Sequence, residues 1–251
     1  MKFLAAHWQH LLLANYRVEP EVLQPLVPEG TTLDTFEGEV YLSLVAFLFN
    51  RTRILGLPIP YHVCFEEVNL RFYVSPDQDR SRRAVTFIKE IVPRAAIPLI
   101  ANHLFNENYV AWPMSHRNEA GFHCYTWDTG RTHRISARIN SGLAYPRAGS
   151  LTEFITEHYW GYARGPRGTL EYQVEHPQWQ ACEIEDYQIE VDFEETYGPE
   201  FAFLNTQTPV NVLYAAGSEV SVSFPRRLRR ESPFPGTSPE LLSEPPAPGA
   251  G

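Results

Sequence analysis

The chain has 251 residues, of which 43% are hydrophobic, and a formal net charge of −9. This length is sufficient for one large domain or two small ones with a substantial core. The acidic balance argues against nucleic acid as a partner, because nucleic-acid-binding surfaces are basic. The three cysteines are odd in number and form no CxxC pair, which favours reduced thiols and a cytoplasmic location over a disulfide framework.

No signal peptide and no membrane span are expected. The short apolar run near the N-terminus, residues 11–14, follows two histidines and a tryptophan, and no small-residue cleavage site comes after it. No stretch approaches the ~20 apolar residues that a membrane-spanning helix needs. A membrane is therefore not predicted as a partner.

Taken in chain order, the apolar patterns and turn residues predict mostly strands. The predicted strands cover residues 3–16, 40–49, 62–74, 84–92, 109–114, 121–127, 132–139, 158–163, 170–175, 181–193 and 210–224. Short helices are predicted over residues 19–26, 95–105, 150–157 and 199–205, the third from the capping box that Ser150 and Glu153 form. The strands do not alternate regularly with helices, which predicts an α+β fold with a mainly antiparallel sheet, closed or half-closed into a barrel.

A change in composition near residue 225 divides the chain into two segments. Residues 1–224 are predicted to form a single domain. Residues 225–251 are rich in proline, glycine and serine, which predicts a disordered tail. Four arginines stand between Arg226 and Arg230 at the root of this tail, and a solvated basic patch is the simplest interpretation, with an anion contact as the alternative.

The strand predicted over residues 62–74 carries the most informative polar pattern. Side chains of a strand alternate between its two faces, so Glu67, Asn69 and Arg71 share one face, with Phe65 and Tyr73 at its ends. If this face lines an interior, its charges must be paired or bound to a ligand. Arg71 would then bind an anion, Glu67 would act as a base or orient Arg71, and Asn69 would position the ligand. The alternative is a solvent-exposed face with an ion pair inside the strand.

Several motifs together resemble the YqjF-like family of unknown function, which is grouped with the acetoacetate decarboxylase superfamily. The resemblance covers roughly residues 5–224. It lies in Asn15-Tyr16-Arg17, Leu26-Val27-Pro28-Glu29-Gly30, the run from Gly38 to Val45, the run from Phe65 to Val74, Glu157-His158-Tyr159, and Val174-Glu175-His176-Pro177. It implies an acetoacetate-decarboxylase-like, cone-shaped β-barrel wrapped by additional sheet and a few short helices, with a ligand cavity inside.

The resemblance also implies which parts of the decarboxylase chemistry are missing. Glu67 falls where the decarboxylase has a pocket glutamate, but Gln9 and Ser43 stand near the positions of its pocket arginine and second glutamate. The decarboxylase forms a Schiff base through a lysine that would fall within residues 101–109, where this chain has none. Lys89 is the one lysine that could substitute, from a strand face that it shares with Phe87.

His103 and Asn102 lie near the position of the missing lysines. His103 is a candidate general acid or base, and Asn102 a candidate ligand-binding residue; the alternative for His103 is a histidine that interacts favourably with the C-terminus of its helix. The spacing of histidines and cysteines predicts no metal site, and the absence of Gly-rich phosphate loops predicts no nucleotide cofactor.

The sequence therefore predicts a small-molecule-binding protein whose pocket takes an anionic or carbonyl-bearing organic compound, with acid–base catalysis that does not use a Schiff base. One alternative is a relative that binds a ligand or a partner protein without turnover. A Schiff-base decarboxylase that uses Lys89 is the second alternative. Exposed strand edges would also permit association between copies of the chain.

Overall fold

Strands dominate the computed structural model, which describes residues 2–140 and 142–228. They are β1 (Lys2–Val18), β2 (Thr31–Leu33), β3 (Val40–Ile54), β4 (Leu57–Pro58), β5 (Phe65–Pro76), β6 (Ala84–Val92), β7 (Tyr109–Ala111), β8 (Met114–Glu119), β9 (Phe122–Asp128), β10 (Thr132–Arg138), β11 (Trp160–Ala163), β12 (Leu170–Glu175), β13 (Ala181–Glu183), β14 (Asp186–Glu190), β15 (Asn211–Ser223) and β16 (Arg226–Arg227).

The helices are few and short. They are α1 (Pro20–Leu23), α2 (Ala96–Phe105), α3 (Leu151–Thr156) and α4 (Phe193–Tyr197), with 3₁₀ turns at Gln24–Leu26 and Pro199–Asn205. None of the helices in the described part of the chain is long and apolar enough to cross a membrane.

The larger sheet closes on itself. Seven strands follow one another in the order β15, β1, β3, β5, β6, β11 and β12, and β12 pairs with β15 to complete a ring. Neighbours in this ring are antiparallel except for β6 and β11, which are parallel. The predicted α+β class with a mainly antiparallel, closed sheet is therefore confirmed.

Side-chain alternation gives the ring two buried faces. Along β5, Val68, Leu70 and Phe72 point outward into a core that also contains Tyr125 and Trp127 of a second, four-stranded sheet. This second sheet has the order β14-β10-β9-β8 and covers the ring from outside. The opposite face of β5 points into the ring, where its aromatic residues join a separate core. Because β5 is covered on both faces, none of its residues is exposed.

Two predicted strands are each divided in the structure. The strand predicted over residues 109–114 is interrupted before Met114, where Pro113 lacks the N–H group that a ladder hydrogen bond requires. The strand predicted over residues 181–193 becomes β13, which pairs with β15, and β14, which pairs with β10. Its two halves thus belong to different sheets, and a continuous apolar pattern does not reveal that division.

The first turns of α2 and α3 contain the residue types that favour the start of a helix. Pro98 is the third residue of α2, within the first turn, where the N–H group that proline lacks has no partner inside the helix. The Ser150 hydroxyl accepts a hydrogen bond of 3.2 Å from the Glu153 N–H group, as the capping box predicts. The Glu153 carboxylate reaches one residue further back than expected and accepts from the Gly149 N–H group.

The first residues assigned to the tail belong to the fold. Arg226 and Arg227 form β16 against β12, and Arg226 Nε lies 2.8 Å from the Glu171 carboxylate. β16 thus lies just beyond the predicted boundary at residue 224. The rest of the predicted tail, residues 229–251, lies outside the described part of the chain.

Candidate functional site

A cavity of about 160 Å³ lies within the ring. Its lining residues come from six of the seven ring strands, β1, β3, β5, β6, β12 and β15, and from α2, the turn after it and the loop before β5. The site thus depends on closure of the sheet, because closure brings strands that are distant in sequence to one interior space.

The inward face of β5 supplies the residues that the strand pattern predicts. Phe65, Glu67, Asn69 and Arg71 all line the cavity, and all are buried. Tyr73 continues the same face but does not line the cavity, because its hydroxyl lies 2.5 Å from the Ser43 hydroxyl in a separate buried network. The structure therefore places four of the five predicted residues of this face at the cavity.

A bulge in β6 decides which of its side chains enter the cavity. Leu70 pairs with Lys89 and Arg71 pairs with Phe87, so Ile88 is an extra residue in this strand. As a result Phe87 and Glu90 both line the cavity.

The same bulge turns Lys89 away from the cavity. Lys89 points to the outer side of the ring, where Nζ donates to the Thr196 carbonyl and lies 5.4 Å from the centre of the Trp112 ring. The expectation that Lys89 shares an interior face with Phe87 is wrong, because the bulge breaks the alternation between them.

The end of α2 brings two further side chains into the cavity. Asn106 ends the helix in the left-handed conformation, with φ at 55°, which asparagine tolerates better than most residues. The chain then turns back so that Glu107 and Tyr109 line the cavity. Asn102 holds this turn, because its side chain bonds both the N–H and the carbonyl groups of Tyr109 at 2.7 and 2.9 Å.

Asn102 therefore acts on the cavity through Tyr109 rather than as part of its lining. His103 is exposed on α2 and does not line the cavity. The structure thus places neither Asn102 nor His103 in the lining of the cavity.

Three buried carboxyl groups meet at the polar end of the cavity, together with two tyrosines. Glu67 accepts hydrogen bonds from Asn69 Nδ2 at 2.9 Å and from the Tyr109 hydroxyl at 3.1 Å. Glu107 accepts from the Tyr172 hydroxyl at 2.6 Å. Glu90 is the third carboxyl group, and only 2% of its surface is exposed.

Burial determines the charge of this cluster. Burial raises the pKa of Glu67 to about 7, although hydrogen bonds from Asn69 and Tyr109 and the charge of Arg71 act in the opposite direction. Burial also raises the pKa of Glu107 to about 8 and the pKa of Glu90 well above its ordinary value, and repulsion among the three carboxylates adds to both shifts. Near neutral pH the cluster therefore holds protons, and its carboxyl groups can donate hydrogen bonds as well as accept them.

Three buried polar atoms at the same place have no hydrogen-bond partner in the described part of the chain. They are Asn69 Oδ1, Arg71 Nε and Glu90 Oε2. Within the described residues, the Arg71 guanidinium makes one long hydrogen bond, of 3.4 Å from Nη2 to the Ile155 carbonyl, and lies 5.9 Å from the centre of the Tyr73 ring. Because a buried polar group without a partner costs free energy, these atoms mark a position that a polar ligand group can occupy.

The strand pattern of β5 does not predict the other half of the polar cluster. Glu90, Glu107, Tyr109 and Tyr172 come from three separate parts of the chain. Glu90 carries a weak signal, since it is one of only two charged residues in the otherwise apolar 84–92 strand. Glu107 and Tyr109 carry no sequence signal for a site, because polar residues are common in a turn after a helix.

The late histidines lie beside the cavity rather than in it. His158 is buried against the Tyr73 ring, with 4.5 Å between ring centres, and its Nε2 lies 4.0 Å from the Asp34 carboxylate. His176 stacks between the rings of Tyr159 and Trp179. Within residues 2–140 and 142–228, no three histidine, cysteine or acidic side chains are placed to hold a metal ion.

Comparison with solved structures defines the class of fold. The enduracididine biosynthesis enzyme MppR complexed with pyruvate has 12% sequence identity and a TM-score of 0.61, with 88% of each chain covered. Acetoacetate decarboxylase from Legionella pneumophila has 8% identity and a TM-score of 0.62, with 90% of this chain and 87% of that one covered. An acetoacetate decarboxylase-like enzyme from Sphingomonas wittichii has 14% identity and a TM-score of 0.60, with 91% and 94% covered. The fold is thus that of the acetoacetate decarboxylase-like proteins, as the sequence resemblance implies.

Comparison of the sequence defines the family. Residues 5–219 match the model of the DUF2071 family, which is described as an uncharacterized conserved protein, and the chain belongs to that family. The uncharacterized protein YqjF of Bacillus subtilis is 38% identical over 69 residues. This match spans 27% of the chain and 28% of that relative. The predicted relationship to the YqjF-like family is confirmed.

Proposed function

We propose that the protein binds a small anionic or carbonyl-bearing organic compound in the cavity, with the polar head of the compound against Arg71 and Glu67. The observation that carries this proposal is the set of unpartnered atoms at the polar end. Arg71 Nε can donate a hydrogen bond to a carboxylate or carbonyl oxygen of the ligand. Glu90 Oε2 can donate to the ligand when it is protonated, and Asn69 Oδ1 can accept from a ligand hydroxyl or N–H group. Protonated carboxyl groups allow an anion to enter without facing three negative charges.

Proton transfer is the chemistry that this arrangement supports best. Glu67 has a pKa of about 7, which suits a general base or acid near neutral pH. In the proposed reaction its carboxylate takes a proton from the carbon next to a carbonyl group. The electron pair moves to the carbonyl oxygen, where the Arg71 charge stabilises the enolate. Return of the proton completes the exchange.

A Schiff base is not part of this proposal. The chain has two lysines, Lys2 and Lys89, and neither lines the cavity. Lys2 lies on the surface, 3.5 Å from the Glu175 carboxylate, and Lys89 lies on the far side of β6. Borohydride reduction in the presence of pyruvate or acetoacetate is therefore expected to leave both lysines unmodified. A lysine adduct in the mass spectrum would favour the decarboxylase alternative.

Thermal stabilisation by pyruvate tests the binding site. A ligand at 100 times its Kd stabilises the native state by about 2.7 kcal/mol, which raises Tm measurably. The variant Arg71→Ala is expected to lose this stabilisation, whereas Arg138→Ala, which changes an exposed arginine of β10 in the second sheet, is expected to keep it. Equal stabilisation of both variants would count against the assigned head site.

Exchange of carbon-bound protons separates an enzyme from a binding protein. With pyruvate in D₂O, proton NMR is expected to show loss of the methyl signal faster with the protein than without it. Glu67→Gln is expected to abolish this exchange while pyruvate still raises Tm. If the wild-type protein binds pyruvate without exchange, the non-catalytic ligand-binding alternative is the better description.

A further inference from the structure

Most of the cavity lies outside the polar cluster and is apolar. Aromatic and aliphatic side chains line it from β1, β3, β6, β12, β15 and α2; they include Phe3, Trp8, Phe47, Phe49, Phe87, Ile97, Ile100, Phe105 and Val174. A compound as small as pyruvate would contact only the polar end. The cavity volume of about 160 Å³ is close to the ~150 Å³ of an engineered apolar cavity that holds a benzene molecule.

The polar and apolar parts follow one another along β5. Arg71, Asn69 and Glu67 are followed by Phe65 at the start of the strand, a path of roughly 20 Å at the rise of a β-strand. Phe65 stacks on Phe49 of β3, with 4.6 Å between ring centres. The cavity therefore has a polar end and an aromatic end, which fits an elongated molecule with a head and a tail.

The aromatic end leads toward α2 and the surface. Ala96 and Ile100 of this helix line the cavity and are also exposed, so the cavity reaches solvent beside them. The two segments that border this opening, residues 50–65 and 91–106, contain no aspartate or glutamate, although the chain as a whole carries a charge of −9. They contain Arg51, Arg53 and Arg94 instead, so the entrance favours a negatively charged compound.

We propose that the cavity takes a single-chain amphiphile, a carboxylic or 2-oxo acid with an apolar body of about six carbons that extends from Arg71 toward α2. This inference rests on the proposed function and names its ligand class. A short polar acid would leave the aromatic end of the cavity unfilled. The positive charge of an alkylamine would be repelled by Arg71 and by the arginines of the two segments that border the opening. The apolar body supplies the affinity and the head supplies the orientation.

A homologous series of straight-chain 2-oxo acids, from pyruvate to 2-oxodecanoate, tests the proposal by isothermal titration calorimetry with the full chain. Burial of each methylene group is expected to tighten Kd about fourfold. The gain is expected to continue for about six carbons and then to level off, because the cavity volume is comparable to one that holds a single ring.

Two substitutions on α2 form a matched pair. Ala101 lines the cavity, so Ala101→Phe is expected to remove most of the gain with chain length and to leave the affinity for pyruvate unchanged. Leu99 is 73% exposed on the same helix, so Leu99→Phe is expected to leave the whole series unchanged. If Ala101→Phe does not fold, Ile97→Ala takes its place, and it is expected to weaken only the longer acids.

The outcomes separate this inference from the proposed function. If pyruvate binds in an Arg71-dependent way but Kd does not change with chain length, the amphiphile inference is overturned and the proposed function stands. If no acid of the series binds, both are overturned. Tighter binding of alkylamines than of acids of the same length would also overturn both, because it would reverse the charge assigned to the head.

Discussion

The buried carboxyl group of Glu107 offers the sharpest test of the electrostatics of the cavity. Its pKa is about 8 in the native protein, against 4.5 for an ordinary glutamate, so between these pH values the native state holds a proton that the unfolded chain has released. The native state therefore binds more protons, and the free energy of unfolding falls as pH rises through this window. Because each pH unit within this window is worth up to about 1.4 kcal/mol, the loss between pH 5 and pH 7 is on the order of 2 kcal/mol, and the loss continues up to about pH 8.

Glu107→Gln removes this titration and keeps the shape of the side chain. The glutamine carbonyl can still accept the hydrogen bond from Tyr172, whose hydroxyl lies 2.6 Å from the Glu107 carboxylate. Urea unfolding at pH 5, 6, 7 and 8 is followed by the fluorescence of the five tryptophans. The variant is expected to be more stable than the wild type at pH 8, and the difference in the free energy of unfolding is expected to shrink by roughly 2 kcal/mol between pH 7 and pH 5.

Glu185→Gln serves as the control, because Glu185 is exposed and a glutamine there removes the same charge from the surface. Its difference from the wild type is expected to stay nearly constant with pH. A constant difference for Glu107→Gln as well would refute the reasoning, because it would mean that Glu107 ionises in the native protein as it does in the unfolded chain.

Three further changes test the local structure. Gly217→Ala is expected to lower Tm and to reduce the free energy of unfolding by at least about 2 kcal/mol. Gly217 has φ at +80°, and a methyl group there would overlap a backbone carbonyl of β1. Gly38→Ala is the control and is expected to cost less, because Gly38 has a similar φ of +83° but faces open space. Ser150→Ala is expected to cost about 1 kcal/mol in urea unfolding through loss of the N-cap of α3, and an unchanged midpoint would contradict the cap. Tyr172→Phe removes the hydrogen bond that lowers the pKa of Glu107, so the titration of that carboxyl group in infrared difference spectra is expected to move to higher pH; a move to lower pH would contradict the assignment.

Much of the fold can be predicted from the sequence because its strands are locally consistent. Apolar and β-branched residues predict β6 and β12 with the bounds that the structure has, and they predict the other five ring strands to within five residues at each end. The alternation along β5 also predicts that Phe65, Glu67, Asn69 and Arg71 share one face, and the structure places all four at the cavity.

The failures of prediction have a common cause. The pairing of β13 and β14 with different sheets depends on partners that lie far away in sequence. The bulge at Ile88, which separates Lys89 from Phe87, depends on how β6 fits against β5. Neither leaves a local pattern, because a strand with a bulge and a strand without one can have the same composition.

The sequence by itself determined the class of fold, the family and one polar wall of the site, because side-chain alternation in a strand is a local property. Only the tertiary structure decided what stands opposite that wall. Ring closure and the turn after α2 bring Glu90, Glu107, Tyr109 and Tyr172 to it, and burial then raises the pKa values of the three carboxyl groups. A pKa depends on the whole surroundings of a group, and those surroundings exist only once distant segments have packed together.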